Sequence, residues 1–250
     1  MTSAGAKPAG VLDEADAAQS VRSMFNSIAP RYDLLNHLLS ANIDRLWWNK
    51  AARSFRSTLS DPEASILDIC CGTGDMTVAL LKQRPLSGRP ILAADFARAM
   101  LSRAPQKFEK FGKAAAIPLE ADALHLPLRS ASLDLVVTAF GFRNLANYEA
   151  GLHEFHRVLK PGGKLGILEF SQPGGLLGKA YAIYFHRILP AIGRWICGKD
   201  YPYAYLPESV SAFPPPSRLL SLMQSTGYRD CSWQPYTFGI AGLYTATRSE

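Results

Sequence analysis

The sequence predicts an α/β fold, a doubly wound and mainly parallel sheet, from three observations. Apolar strand-like runs alternate with helical patterns at least five times between Ser65 and Phe170, the pattern of a parallel sheet covered on both faces. The first run, Ser65-Ile66-Leu67-Asp68-Ile69, ends in a Gly-x-Gly turn at Gly72 and Gly74 and leads into the periodic Met76, Val78, Ala79, Leu80 and Leu81. A carboxylate, Asp95, closes the second apolar run 21 positions after Gly74. In such sheets ligands bind beyond the carboxyl ends of the strands, where glycine lets the backbone approach and the next helix offers unpaired N–H groups.

Taken in order, Met1–Gly10 are small and polar with no apolar run of a secretory signal, so a disordered tail over 1–12 is expected ahead of one domain over 13–250. Val21, Met24, Phe25 and Ile28 recur at helical spacing up to Pro30, which should end that helix. Leu34, Leu35, Leu38 and Leu39 suggest a second helix, and Asp44-Arg45-Leu46-Trp47-Trp48 opens a third that runs to about Leu59. Lying before the first strand, residues 13–60 are expected to form a helical lid over the site.

Further strands are expected at Ile91–Asp95, Ala115–Leu119, Leu133–Phe140 and Lys164–Phe170. A single helix should pass through Met100 and Phe108. Another, Tyr148–Leu159, ends in a basic turn followed by Lys160-Pro161-Gly162-Gly163, a strong stop. Residues 172–210 read as a helical insertion. Its apolar stretch Leu176–Leu189 contains Lys179, His186 and Arg187, which prevent a spanning helix but suit a lid or a helix lying on a membrane surface.

The turn narrows the ligand. Gly-x-Gly-x-x-Gly marks dinucleotide sites, but the third glycine position here is Thr77. No Gly-Lys-Ser/Thr follows, and Asp75 at the helix start opposes a phosphate. Asp95 suits a ribose diol, so NAD and S-adenosylmethionine both fit at this point. A cofactor without phosphate, with a cationic end that Asp68 would favour, fits better, which selects S-adenosylmethionine. Asp122 and Ala123, just past the third strand, lie at the base end of the same crevice, and Tyr32 offers a ring to a sulfonium.

Charge and cysteines bound the rest. Lys and Arg exceed Asp and Glu by 27 to 21, a formal charge of +6; this suits an anionic membrane surface or nucleic acid but is equally common in enzymes that touch neither, and no nucleic-acid partner is expected. Cys70, Cys71, Cys197 and Cys231 form no Cys-x-x-Cys pair and read as reduced thiols, and no metal site is expected. His153 and His156 read as surface or packing residues.

Leu67-Asp68-Ile69-Cys70-Cys71-Gly72-Thr73-Gly74-Asp75, Ala94-Asp95-Phe96, Ala121-Asp122-Ala123, Phe140-Gly141-Phe142-Arg143-Asn144 and Val158-Leu159-Lys160-Pro161-Gly162-Gly163 together resemble class I S-adenosylmethionine-dependent methyltransferases. More narrowly, Met24-Phe25, Ala29, Tyr32-Asp33, Asn36, Leu168-Glu169-Phe170-Ser171 and Tyr203-Ala204-Tyr205-Leu206-Pro207-Glu208-Ser209 make the chain similar to the C-methyltransferases of menaquinone and ubiquinone biosynthesis. The resemblance implies a seven-stranded sheet ending in a hairpin, which Tyr228–Gln234 and Ile240–Thr247 fit around a turn at Gly239. It implies cofactor contacts at Thr73, Asp95, Asp122 and Ala123, beside Gly72, Gly74, Asp68 and Tyr32. Some members add a serine ahead of Phe-Gly-x-Arg-Asn, where this chain has Ala139; that contact is not carried over.

The implied reaction is methyl transfer to a ring carbon of a polyprenyl quinol. Demethylmenaquinol is the expected substrate and the benzoquinol precursor of ubiquinone the alternative, with Cys70-Cys71 and Ala139 leaning to the naphthoquinol. Arg143 is expected to meet developing oxyanion charge, alone or through a water, while Asn144 and Tyr205 orient the ring. The expected location is the cytoplasm, with a peripheral contact at the inner face of the membrane; a homodimer stays open. Three rivals define the tests. An NAD dehydrogenase would want the missing glycine, a small-molecule O-methyltransferase would place a base or metal ligands after the fourth strand, and a catalytically dead relative would bind without turnover.

Overall fold

The structure is a computed structural model that describes residues 5–6, 13–32, 42–112, 114–174 and 205–250. The expected second helix near Leu34–Leu39, Cys197 and residues 175–204 of the expected insertion lie outside the described residues.

Seven strands form one sheet: β1 (Ile66–Ile69), β2 (Ile91–Asp95), β3 (Ala116–Glu120), β4 (Leu133–Ala139), β5 (Leu159–Phe170), β6 (Tyr228–Tyr236) and β7 (Ala241–Arg248), in the order β3-β2-β1-β4-β5-β7-β6. The first five pair in parallel, and β7 runs antiparallel to β5 and β6. The order reverses between β1 and β4, which opens a crevice beyond their carboxyl ends.

Strand alternation divides the core between the two faces. Leu135 and Val137 of β4 point into one cluster, with Trp47, Trp48, Phe55, Leu80 and Phe108. Val136 points into the other, with Phe142, Phe155, Leu219 and Met223. Helices α2 (Ile43–Ser54), α3 (Arg56–Ser60), α4 (Asp75–Leu81) and α6 (Ala104–Phe108) supply the first cluster, while α7 (Tyr148–Val158) and α9 (Pro216–Ser225) supply the second.

Several expectations change here. Helix α1 (Glu14–Ile28) starts earlier than its apolar spacing indicates, because Asp13 caps it by accepting from the Asp16 N–H at 2.9 Å and Glu14 and Asp16 fill its first turn. Pro30 ends it through a short 3-10 turn, Ala29–Arg31. α2 packs on α4 and β5, with Ala51 and Ala52 fully buried, and among the described residues α1 is the lid-segment helix that lines the crevice. The single helix expected through Phe108 is two, α5 (Arg98–Leu101) and α6, since Pro105 in the first turn of α6 lacks the N–H that a continuous helix needs. β5 begins at Leu159, and its pairing jumps from Leu133↔Leu159 to Leu135↔Lys164, so the Lys-Pro-Gly-Gly stop is a bulge of the strand. Within the expected tail, the Ala6 N–H donates to Leu145 O at 2.7 Å.

Gly74 sets the start of α4. Its φ is +89°, and a Cβ there would lie 2.6 Å from Phe108 Cε1. Gly74→Ala should therefore cost about 2–4 kcal/mol in denaturant unfolding, from left-handed backbone strain plus overpacking.

Candidate active site

The crevice is lined by α1, by the turn after β1, by the tip of β2 and by the segments after β3 and β4. Its floor is the turn after β1. The Gly72 N–H donates to Asp95 Oδ2 at 2.8 Å and the Ala97 N–H donates to Asp95 Oδ1 at 2.8 Å, so the carboxylate at the tip of β2 is fixed from both sides. Burial pushes the Asp95 carboxyl up to about 6, against these two bonds. A Cβ on Gly72 would stand 3.5 Å from Met100 Cε and 4.0 Å from Tyr32 Cε1, so Tyr32 closes the space above the turn. Tyr32 is held edge-on against Phe25 of α1, with ring centroids 6.1 Å apart.

Asp122, Ala123 and Leu124 line the far end. The Leu124 N–H donates to Asp122 Oδ1 at 2.9 Å, and His125 Nδ1 lies 3.5 Å from Asp122 Oδ2. Gly72, Asp95, Asp122, Ala123 and Tyr32 thus share one cavity, with Cys70 and Ala139 beside them. Cys70, Cys71 and Cys231 are free, and burial raises all three thiols. Among the described residues no group of three or more His, Cys, Asp or Glu side chains is placed to hold a metal.

Three expected cofactor residues lie outside that lining. Thr73 is buried, and its hydroxyl accepts from Lys107 Nζ at 2.9 Å, while Lys107 also bonds Asp75 at 2.8 Å. Gly74 packs under Phe108. Asp68 alternates with Leu67 and Ile69 and so points to the opposite side of the sheet, behind the turn, where Thr77 Oγ1 donates to its Oδ2 at 2.5 Å. Burial, with Asp95 nearby, raises the Asp68 carboxyl to about 7, and its Oδ1 has no hydrogen-bond partner among the described residues.

A folded-state value above the ordinary 3.8 means that stability from Asp68 is present at low pH and is lost as pH rises from about 4 through about 7. Asp68→Asn removes that loss. The variant should gain stability relative to the parent across this window and keep the gain above it, read as denaturant midpoints at the two ends.

The rim after β4 holds the expected catalytic residues. Gly141 is demanded by closeness, since a Cβ there would lie 2.3 Å from Cys70 Cβ. Phe142–Asn144 form a 3-10 turn. Asn144 lines the crevice, and Tyr205, at the start of α8 (Tyr205–Ala212), donates its hydroxyl to Asn144 Oδ1 at 2.9 Å. Burial pushes the Tyr205 hydroxyl up to about 12.

Arg143 is clamped by an acid. It is 6% exposed and absent from the crevice lining, and its guanidinium pairs with Glu169, Nη1 to Oε1 at 2.8 Å. Nη1 also donates to Phe140 O, and Nε donates to Ser209 Oγ at 3.3 Å. The Arg143 N–H donates to Glu169 Oε2 at 3.1 Å. Burial lowers this guanidinium, but Glu169, Tyr32 and Tyr205 together outweigh it and the net shift is upward. Glu169 is fully buried one residue past the Ala139↔Leu168 pair, where parallel register brings β5 beside the rim. Sequence reasoning gave Glu169 no role; an acid closing a buried strand, beside an arginine one strand over, was the available signal.

A methyltransferase family model described as the ubiE/COQ5 methyltransferase family matches residues 13–248. A Deinococcus radiodurans protein named demethylmenaquinone methyltransferase is 44% identical over 250 residues, 99% of this chain and all of that one. A Thermus thermophilus protein of the same name is 44% identical over 90% of this chain and all of that one. A Geobacter sulfurreducens protein named ubiquinone/menaquinone biosynthesis C-methyltransferase UbiE is 39% identical over 93% of this chain and 90% of that one. Among solved structures, the [4+2]-cyclase SpnF superposes with a TM-score of 0.65 at 14% identity, covering 93% of this chain and 97% of that one. A Thermotoga maritima SAM-dependent methyltransferase, titled a possible histamine N-methyltransferase, gives 0.62 at 17% identity, covering 92% of this chain and all of that one. These two likenesses show the fold alone. The model match over 13–248, together with full-length relatives at 44% identity, places the chain in the ubiE/COQ5 methyltransferase family, to which it belongs.

Proposed function

We propose that the chain transfers a methyl group from S-adenosylmethionine to a ring carbon of demethylmenaquinol, giving menaquinol, S-adenosylhomocysteine and the proton displaced from that carbon. The observation that carries this reading is Asp95, fixed by the Gly72 and Ala97 N–H groups at the bottom of a crevice closed by aromatic rings, in a chain whose 44% identical relatives bear that name. The residues present fit the cofactor. Asp95 keeps free lone pairs for two ribose hydroxyls, and the missing side chain at Gly72 admits the sugar. Asp122 and the apolar Ala123 and Leu124 suit an adenine, whose amino group can donate to the Asp122 carboxylate. Tyr32 and Phe25 present ring faces or edges where a sulfonium gains a cation–π contact. Thr73 acts from behind, by holding Lys107 and Asp75 at the helix start.

S-adenosylmethionine, when bound, supplies an electrophilic methyl. What remains to the protein is to hold the quinol ring in line and to meet charge that develops on its oxygen. Asn144 and Tyr205 form a hydrogen-bonded pair at the rim and orient the ring. Arg143, clamped by Glu169, supplies a fixed positive charge next to that pair, acting directly or through a water. A small Ala139 leaves room for the second ring of a naphthoquinol. Residues 13–250 act as one domain in this reading, with α1 as the lid and residues 172–210 as an insertion.

The test is incubation with methyl-labelled cofactor and two acceptors in parallel, reduced demethylmenaquinone and a prenylated benzoquinol. Label on the naphthoquinol ring carbon supports the proposal. Label on the benzoquinol alone moves the substrate to the ubiquinone branch, and heat of binding with NADH but not with the sulfonium cofactor would reject it.

A further inference from the structure

The turn between β6 and β7 places an aromatic ring where backbone energy opposes it. Thr237 and Phe238 both have positive φ, 44° and 57°, and Phe238 is 84% exposed. A left-handed non-glycine residue is strained, and glycine is the usual solution in such a turn. The strain brings no burial in return. A single exposed Leu or Phe is ordinary on a protein surface, but this ring does not stand alone.

Trp47 Nε1 donates to Thr237 Oγ1 at 2.7 Å, and Lys50 Nζ lies 4.2 Å from the Tyr236 ring centroid, so one side of α2 borders the turn. On that side Leu46, 68% exposed, is followed by Lys50 and Arg53 at i+4 and i+7. Arg45 and Arg56 flank this line, and both are exposed. Between Asn42 and Ser60 the only acid is Asp44, which is buried. None of the four cations forms an ion pair with another described residue.

We propose that Leu46 and Phe238, framed by Arg45, Lys50, Arg53 and Arg56, dock this face on an anionic lipid bilayer surface. Two apolar tips enter the interface while four cations meet headgroup charge, the division of labour of interfacial segments. The face also leads inward. The Trp47 ring lies 5.9 Å from the Phe140 ring, and Phe140 lines the crevice, so an apolar path runs from the turn towards the site. That an isoprenoid tail uses this path rests on the function proposed above; the docking itself does not.

Co-sedimentation with vesicles tests it, using phosphatidylcholine alone and phosphatidylcholine mixed with phosphatidylglycerol, without cofactor or quinol, so that failure here leaves the methyl-transfer test intact. The parent should bind the mixed vesicles, less at high salt, and leave neutral vesicles largely unbound. Arg53→Gln should weaken binding about fivefold. Phe238→Gly should weaken it roughly tenfold, while its melting temperature stays equal or rises because glycine accepts the positive φ. Parent-like binding by both variants, or no binding by the parent, overturns the proposal. So does a parent that self-associates and becomes monomeric on Phe238→Gly without vesicle binding, which would make this face an interface between copies.

Discussion

Arg143→Ala is expected to lower turnover about 10²–10³-fold, the usual cost of losing a donor aimed at developing oxyanion charge, while affinity for S-adenosylmethionine stays within a few-fold of the parent. That separation follows from position: Arg143 lies behind the rim after β4, and the proposed cofactor contacts lie on β1, β2 and the segment after β3. The Glu169 pair adds a second effect. Removing the guanidinium leaves a fully buried carboxylate unpaired, which costs about 3–5 kcal/mol of stability. A double variant, Arg143→Met with Glu169→Leu, separates the two. It removes both charges, so it should recover most of the lost stability and none of the turnover. Denaturant unfolding alongside single-turnover methyl transfer reads both quantities; parent-like turnover in the double variant would make the pair structural only.

Asp95→Asn is expected to weaken cofactor binding about 10–100-fold, because hydrogen bonds to a charged acceptor are worth about 1.5–3 kcal/mol each, and to leave the rate of saturated enzyme nearly intact. The parent carries a pH signature that the variant lacks. With its folded-state carboxyl at about 6, the parent accepts from ribose hydroxyls as a carboxylate above that pH, and its dissociation constant should rise roughly tenfold per unit below it. Stability moves the opposite way. A carboxyl raised from 3.8 to about 6 contributes stability that is present below about 4 and lost as pH rises to about 6. The parent should therefore hold its fold better, and its cofactor worse, on the acid side. Calorimetric titrations of both proteins from pH 5 to 8 check this; a pH-independent parent would remove Asp95 from the binding role.

What the sequence made legible was local. β2 matches its expected bounds, Ile91–Asp95, because that apolar run is too short for a stable helix and too apolar for a surface loop, and its carboxylate marks the strand end. The hairpin, implied by the family resemblance and fitted by Tyr228–Gln234 and Ile240–Thr247, is present, with Thr237–Gly239 forming the turn. Less legible was anything that depends on which face an element meets. The same apolar spacing that marks α2 as a helix does not say whether Trp47 and Trp48 cover the crevice or pack into the sheet, and they pack into the sheet. Asp68 sits one residue inside β1 and Asp95 ends β2, and the one lies behind the turn while the other lines the crevice. The ion pair of Arg143 with Glu169 spans 26 residues and depends on the register of β4 with β5, which no single-strand pattern encodes.

The most direct measurement is the fate of a labelled methyl group offered to this chain with demethylnaphthoquinone in its reduced and its oxidised form. Carbon nucleophilicity belongs to the quinol, so label should appear on a ring carbon in the reduced reaction only. Label on oxygen, label from the oxidised form at the same rate, or no transfer to either would contradict the account.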